Sequence, residues 1–143
     1  MSQPILSILP NPRRPIAFVK PDTTALTCAK KMRDEDIGAL VVHDIDTLIG
    51  IVSERDLVRA CLSKSLDPTL MTAFDLAYKH VQILDAKDSI EKAMEVITHT
   101  KRRHVLISEE GQLTAVLSIG DLLFYLLDHK SRVIDHLEQY INT

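Results

Sequence analysis

Apolar residues at Ala25, Cys28, Ala29 and Met32 follow the i, i+3, i+4, i+7 spacing of one helical face. Ile90, Ala93, Met94 and Ile97 repeat that face 65 residues later. Each predicts an amphipathic helix. Two apolar runs follow at the same offset. Ala39-Leu40-Val41-Val42 overlays His104-Val105-Leu106-Ile107, and Leu48-Ile49-Gly50-Ile51-Val52 overlays Leu113-Thr114-Ala115-Val116-Leu117. Between the runs lie Asp44 to Thr47 and Glu109-Glu110-Gly111-Gln112, short enough for hairpin turns. Residues 16 to 63 therefore lie over 81 to 128 without a gap, and each half reads as β-α-β-β-α, opening on a short extended segment near Ile16 or Val81.

The organisation this predicts is an N-terminal segment with the first repeat over 1–63, a connecting segment over 64–80, the second repeat over 81–128 and a helical extension over 129–143. Pro68 and the apolar residues Leu70, Met71 and Phe74 to Tyr78 predict a short helix in the connection. Val133, Ile134, Leu137 and Ile141 continue the helix that begins at Asp121, and this stripe has no counterpart in the first repeat. It suits either the chain's own core or a dimer contact.

Five of the 48 overlaid positions are identical, and two of them are the Ser and Asp of Ser53-Glu54-Arg55-Asp56 and Ser118-Ile119-Gly120-Asp121. A serine that begins a helix accepts a hydrogen bond from an early backbone N–H, and a carboxylate three residues on opposes the positive end of the helix dipole. That capping role holds whatever the function. The same corner also offers unpaired N–H groups to phosphate, and an ionised Asp can accept both hydroxyl protons of a ribose cis-diol. Recurrence of the pair in both halves favours a nucleotide site over a cap alone.

Composition narrows the function classes. The 143 residues include 17 Lys or Arg and 20 Asp or Glu, giving a net charge of −3. A general phosphate-backbone binder carries clustered positive charge, and six aromatic residues without Trp give little for base stacking, so no nucleic-acid partner is expected. The longest apolar run, Leu122 to Leu127, is far shorter than the roughly 20 residues of a membrane span. With Arg13 and Arg14 following rather than preceding the first apolar residues, a cytoplasmic protein is expected, with no membrane partner. Cys28 and Cys61 form no CxxC pair and read as buried thiols. His129 and His136 lie two helical turns apart, and His43, His80 and His99 are scattered, so no metal or catalytic constellation emerges and no enzyme is expected. A weaker reading uses Arg13, Arg14 and Lys101 to Arg103 as a nucleic-acid or metal surface.

The segments Ile37-Gly38-Ala39-Leu40-Val41-Val42 and Gly50-Ile51-Val52-Ser53-Glu54-Arg55-Asp56-Leu57-Val58 closely resemble the core of a CBS domain. Arg102-Arg103-His104-Val105-Leu106-Ile107 with Val116-Leu117-Ser118-Ile119-Gly120-Asp121 resembles a second. The resemblance spans roughly residues 5 to 128 and implies an α/β fold: two pseudo-symmetric βαββα CBS repeats forming a CBS pair, or Bateman module, with an added C-terminal helix. It further implies adenosine-containing ligands in clefts drawn from both repeats. Asp56 and Asp121 would hold ribose hydroxyls, with Ser53 and Ser118 near ribose or phosphate. The Asp56 cleft would be completed by Ile51, Val81, Gln82, Arg103 and His104, and the Asp121 cleft by Val116, Ile16, Ala17, Gly38 and Ala39. Because Arg103 and His104 overlay Gly38 and Ala39, phosphorylated ligand is expected first at Asp56. The family's glycine before the end of the second strand is present as Gly50 and replaced by Ala115.

The resulting expectation is a non-enzymatic sensor of an adenine nucleotide (AMP, ADP or ATP), or of an S-adenosylmethionine or NADH-type ligand. No cofactor is required. It would act as a homodimer or on an unidentified regulated partner. The alternative is a structural homodimerisation module with vestigial clefts.

Overall fold

The computed structural model describes residues 3–141. The chain divides into two compact units, Pro15–Val81 and Met1–Arg14 with Gln82–Thr143.

In the first, strand β1 (Phe18–Val19) leads to helix α1 (Ala25–Glu35), the hairpin β2 (Ala39–Asp44) and β3 (Thr47–Ser53), and helix α2 (Glu54–Val58). The sheet order is β1-β2-β3, with β1 parallel to β2 and β2 antiparallel to β3. α1 starts where the Thr24 side chain accepts from the Thr27 N–H, and it ends at Asp36 in the left-handed region. Its face Ala25, Cys28 and Met32 is buried, with Cys28 and Met32 packing among Val19, Leu40, Val42 and Val52. After α2 the helix loosens into one π-helical turn, Arg59–Ser63, and Ser65 at φ 56° turns the chain away. Cys61 lies half-buried there, whereas Cys28 is buried; both are free thiols. The helix expected in the connection is the single turn α3 (Ala73–Leu76), and the chain beyond it runs extended against β3, where Ile51 and Tyr78 exchange N–H···O bonds of 3.1 and 2.9 Å.

The second unit repeats this plan with β4 (Ile83–Asp85), α4 (Ile90–Thr100), β5 (His104–Glu109), β6 (Gln112–Ser118) and α5 (Ile119–Ile141). Its sheet order is β4-β5-β6 with the same parallel and antiparallel pairings. Ser89 caps α4 and Lys101 ends it at φ 56°, each 65 residues beyond its counterpart. Ile90, Ala93, Ile97, Val105, Ile107, Leu117 and Leu122 form the core. α5 runs 23 residues without interruption, so the tail does continue the helix of the second repeat. The side chains of Val133, His136 and Ile141 lie outside the described residues.

The division in space differs from the division by repeat. Residues 3–8 close the unit that holds the second repeat. Ile5, in a 3-10 turn (Ile5–Ile8), is fully buried in that core. The Ile5 and Leu6 N–H groups donate to Asp88 and Ala86 carbonyls (both 2.8 Å), and the Gln3 carbonyl accepts from Ile90 N–H (2.9 Å). Residues 71–74 do the same for the first repeat: Ala73 and Phe74 donate to Thr23 and Pro21 (2.7 and 2.9 Å), and Met71 accepts from Ala25 (2.8 Å). Thr23, Pro21 and Ala25 are the positional equivalents of Asp88, Ala86 and Ile90. The segment between the repeats and the one before them therefore serve equivalent places, each completing one unit by backbone bonds that a burying sheet must satisfy.

Candidate functional site

Each unit contains one strand-to-helix corner, built from the end of a hairpin. In the first, Ala39 and Ser53 face each other across β2 and β3, and the Glu54 N–H donates to the Gly38 carbonyl (3.0 Å). This bond turns the chain from β3 into α2. Ser53 is buried and caps the helix reciprocally: its Oγ accepts from the Asp56 N–H (3.2 Å), while Asp56 Oδ2 accepts from both the Ser53 N–H and its hydroxyl (2.9 Å each). Asp56 is half-buried. Ala17, at the start of β1, accepts from the Val41 N–H (2.9 Å), which sets half-buried Ile16 and Ala17 beside β2. Ile51 is buried in β3, and half-buried Val81 closes the unit.

The second corner reproduces the bonds made by backbone N–H groups. Ile119 N–H donates to the Arg103 carbonyl (2.8 Å), His104 faces Ser118, and Leu106 N–H donates to Gln82 (3.0 Å). Asp121 Oδ2 accepts from the Ser118 N–H (2.8 Å), and Ser118 Oγ from the Asp121 N–H (3.1 Å). Val116 pairs with Leu106 and is half-buried. The surroundings differ: Asp121 and Arg103 are exposed, and Ser118 and His104 are half-buried. Within each unit, then, Gly38 and Ala39 accompany Ser53 and Asp56, and Arg103 and His104 accompany Ser118 and Asp121.

Two features escaped the sequence reading. Glu54 folds back over Gly38, where a Cβ would come within 2.9 Å of its Oε1, so glycine leaves room for a second carboxylate at this corner. With Arg55 half-buried on the same turn, the first corner carries three charged residues where the second has Ile119, Gly120 and Asp121. The pattern Glu-Arg-Asp against Ile-Gly-Asp was present in the overlay and was the signal available. The second feature is Thr72 and Asp75, which form the same reciprocal cap at α3: Thr72 N–H and hydroxyl donate to Asp75 Oδ2 at 3.2 and 2.9 Å. The box alone is therefore capping. What distinguishes the two corners is their place at the end of a hairpin and their repetition.

One arginine and three histidines outside the corners have partners of their own. Arg13 makes two bonds to Glu109 (3.0 and 3.1 Å) and one to the Pro10 carbonyl, and the Arg13 guanidinium holds the Glu109 carboxyl below its ordinary range. His43 meets the Phe18 ring edge-on, His80 that of Tyr78, and His129 stacks on Tyr125. Burial raises the Cys28 thiol above its usual value, away from thiolate chemistry. Among the described residues, no three His, Cys, Asp or Glu side chains gather where they could hold a metal ion. No helix among them is long and apolar enough to cross a membrane.

The sequence pattern of the CBS domain matches residues 5–63 and again 73–128. Hypoxic response protein 1 of Mycobacterium tuberculosis is 34% identical over 107 residues, which cover 74% of this chain and 75% of that one. A crystal structure of Hypoxic Response Protein I with two coordinated zinc ions superposes at a TM-score of 0.68 with 29% identity, covering 86% of this chain and 98% of that chain. The CBS-domain containing protein ATU1752 from Agrobacterium tumefaciens superposes at 0.78 with 29% identity, again over 86% and 98%. Both matched spans begin on the segments, at Ile5 and Ala73, that complete the two units. With two matched copies spanning most of its length, the chain belongs to the CBS domain family as a CBS pair.

Proposed function

We propose that this CBS pair is a non-catalytic, cytoplasmic, ligand-sensing regulatory module that binds an adenosine-containing ligand of the AMP, ADP or ATP class, acting as a homodimer or on a regulated partner. The observation that carries the reading is the corner repeated in both units, where a helix start and an acidic side chain meet at the end of a hairpin. Such a corner offers N–H groups to phosphate and carboxylate oxygens to a ribose diol. In this reading Asp56 takes ribose hydroxyls, with Ser53, Ile51, Val81 and Gln82 around the ligand and Arg103 and His104 supplying donors to phosphate. Asp121, Ser118, Val116, Ile16, Ala17, Gly38 and Ala39 form the second set, which fills after the first. A ligand alters the module only as far as it binds one arrangement better than another.

Isothermal titration with AMP, ADP, ATP, S-adenosylmethionine and NADH tests the reading. Binding heat is expected for an adenine nucleotide, and Asp56→Ala should weaken it by about 1 to 3 kcal/mol because ribose donors lose their acceptor. Asp75→Ala is the control: it removes the same kind of cap and should leave affinity unchanged. Arg103→Ala should weaken ATP more than adenosine. Silence with every ligand overturns the sensor and leaves the second reading, a structural homodimerisation module, which the exposed apolar face of α5 independently favours.

A further inference from the structure

The two strand-to-helix corners carry opposite charge at one equivalent place. In the first unit the Glu54 N–H donates to the Gly38 carbonyl (3.0 Å), and the Glu54 side chain folds back over the same residue. A Cβ on Gly38 would meet Glu54 Oε1 at 2.9 Å and Cδ at 3.8 Å and, among the described residues beyond its chain neighbours, nothing else within 4 Å. The carboxylate thus takes the space that a side chain at position 38 would fill. It is exposed, and among the described residues no cation pairs with it. In the second unit the equivalent bond joins the Ile119 N–H to the Arg103 carbonyl (2.8 Å). There an apolar side chain replaces the carboxylate, and an exposed arginine replaces the glycine.

We infer that Glu54 determines the charge of the ligand that Gly38 and Ala39 help to hold: an adenosyl ligand with a cationic group beside the ribose, as in the sulfonium of S-adenosylmethionine, and not a phosphate. The inference rests on the reading above, in which Gly38 and Ala39 belong to the set of Asp121, and Arg103 and His104 to the set of Asp56. It gives the two sets different ligands. Phosphate and sulfonium are attached at the same carbon of the ribose, so the sign of the protein charge near that carbon separates two ligands whose adenine and ribose are alike. A doubly charged phosphate about 5 Å from a carboxylate in water-like surroundings is disfavoured by roughly tenfold at low salt. A carboxylate at a helix start also stabilises the helix through its dipole. That role requires no fold-back over Gly38 and treats ligands of every charge alike.

Isothermal titration of the full chain at low salt tests this. Wild-type protein should bind one ATP per chain tightly, and ATP-saturated protein should then take up S-adenosylmethionine. Glu54→Gln keeps the size of the side chain and removes its charge. It should weaken the uptake of S-adenosylmethionine by about tenfold, strengthen a second ATP by about tenfold, and leave adenosine and the first ATP within about twofold of wild type. Gly38→Ala should shift S-adenosylmethionine and the second ATP in the same directions, since its Cβ displaces a flexible carboxylate and nothing else. These differences should shrink at about 0.5 M salt. A wild-type chain that takes two ATP with equal affinity, or that refuses S-adenosylmethionine once saturated with ATP, overturns the inference and leaves the nucleotide reading standing. An equal change for all ligands in Glu54→Gln, or none, reduces Glu54 to a helix-start residue with the same consequence. A gain for the first ATP instead of the second assigns the charge to the set of Asp56 and overturns the inference too. Silence of the wild-type chain with ATP, S-adenosylmethionine and adenosine removes the reading itself, and the inference with it.

Discussion

The corner at Asp56 and the corner at Asp121 share every backbone bond at an offset of 65 residues, yet they present different chemistry. The first has a buried serine, a half-buried carboxylate and Glu54 and Arg55 on the same turn; the second is exposed, with Ile119 and Gly120 in those places. A repeated scaffold therefore does not impose a repeated site. The backbone geometry follows from apolar periodicity and caps, which both copies keep. The chemistry follows from residues free of that constraint, which have diverged. The same separation appears at Gly50 and Ala115, at the two hairpin turns, and at the two segments that complete the units, and each pair offers a way to test it.

The largest effect is expected at the completing segments. Ile5 and Ala73 occupy equivalent, fully buried places, but a large side chain fills one and a methyl group the other. Ile5→Ala should cost about 2 to 5 kcal/mol, because the core around Leu84, Ile90 and Leu117 is left with a cavity. Urea unfolding monitored by amide exchange should show the loss in the unit of β4–β6 and leave the unit of β1–β3 little changed. Equal loss in both would show that the units do not unfold separately.

Gly50 and Ala115 come next. A Cβ on Gly50 would collide with the Tyr78 backbone, which pairs with Ile51 across the sheet edge. Among the described residues the second repeat has no such extended segment beside β6, and Ala115 instead packs against the core. Gly50→Ala should cost about 1 to 3 kcal/mol through overpacking. Ala115→Gly should cost about 0.5 to 1 kcal/mol through lost backbone restriction. Denaturant midpoints of the two variants check the order. The glycine missing from the second repeat thus reflects which segment lies alongside, not the ligand chemistry of that corner.

These cases show why the fold was more legible than the site. Helical faces, hairpins and the caps at Ser53 and Ser118 are short-range patterns, and the overlay doubled each of them, whereas the caps at Thr24 and Ser89 emerged only from the structure. The exchange of completing segments was hidden because residues 3–6 and 71–74 are offset by 68 rather than 65, and because Ile5 and Ala73 share nothing but burial. The Asp56 and Asp121 corners were legible as motifs. Glu54 over Gly38 was not, since a carboxylate following a serine reads as helix-start charge until coordinates show where it folds. Thr72 to Asp75 carries the same spacing as the other two boxes and marks how little the spacing alone specifies.

The hairpin turns predict a gain. Ile45 and Glu110 are equivalent and both sit at φ 52°, but Glu110 precedes Gly111, whereas Ile45 is β-branched and 85% exposed. A β-branched residue is strained in the left-handed region. Ile45→Gly should raise stability by about 1 kcal/mol and Glu110→Gly by less, read as a shift in melting temperature. No gain at Ile45 would mean that its exposed side chain is held by a contact outside the turn.

The smallest effect distinguishes how the two completing segments are fastened. Only the first is joined by an ion pair to its unit among the described residues, Arg13 to Glu109, and the guanidinium lowers the carboxyl's pKa. Because the folded value lies below the unfolded one, the contribution is present above the ordinary glutamate range near 4.3 and is lost as pH falls through the depressed value. Amide exchange should therefore show protection of Ile5 and Leu6 falling below pH about 4 relative to Ala73 and Phe74, which make the equivalent bonds without that pair. Glu109→Gln should abolish this divergence while leaving protection at Ala73 and Phe74 unaltered. A divergence that persists in Glu109→Gln would assign the acid sensitivity to another carboxylate, with Asp88, whose carbonyl receives the Ile5 N–H and whose side chain accepts from Asp85, the next to replace.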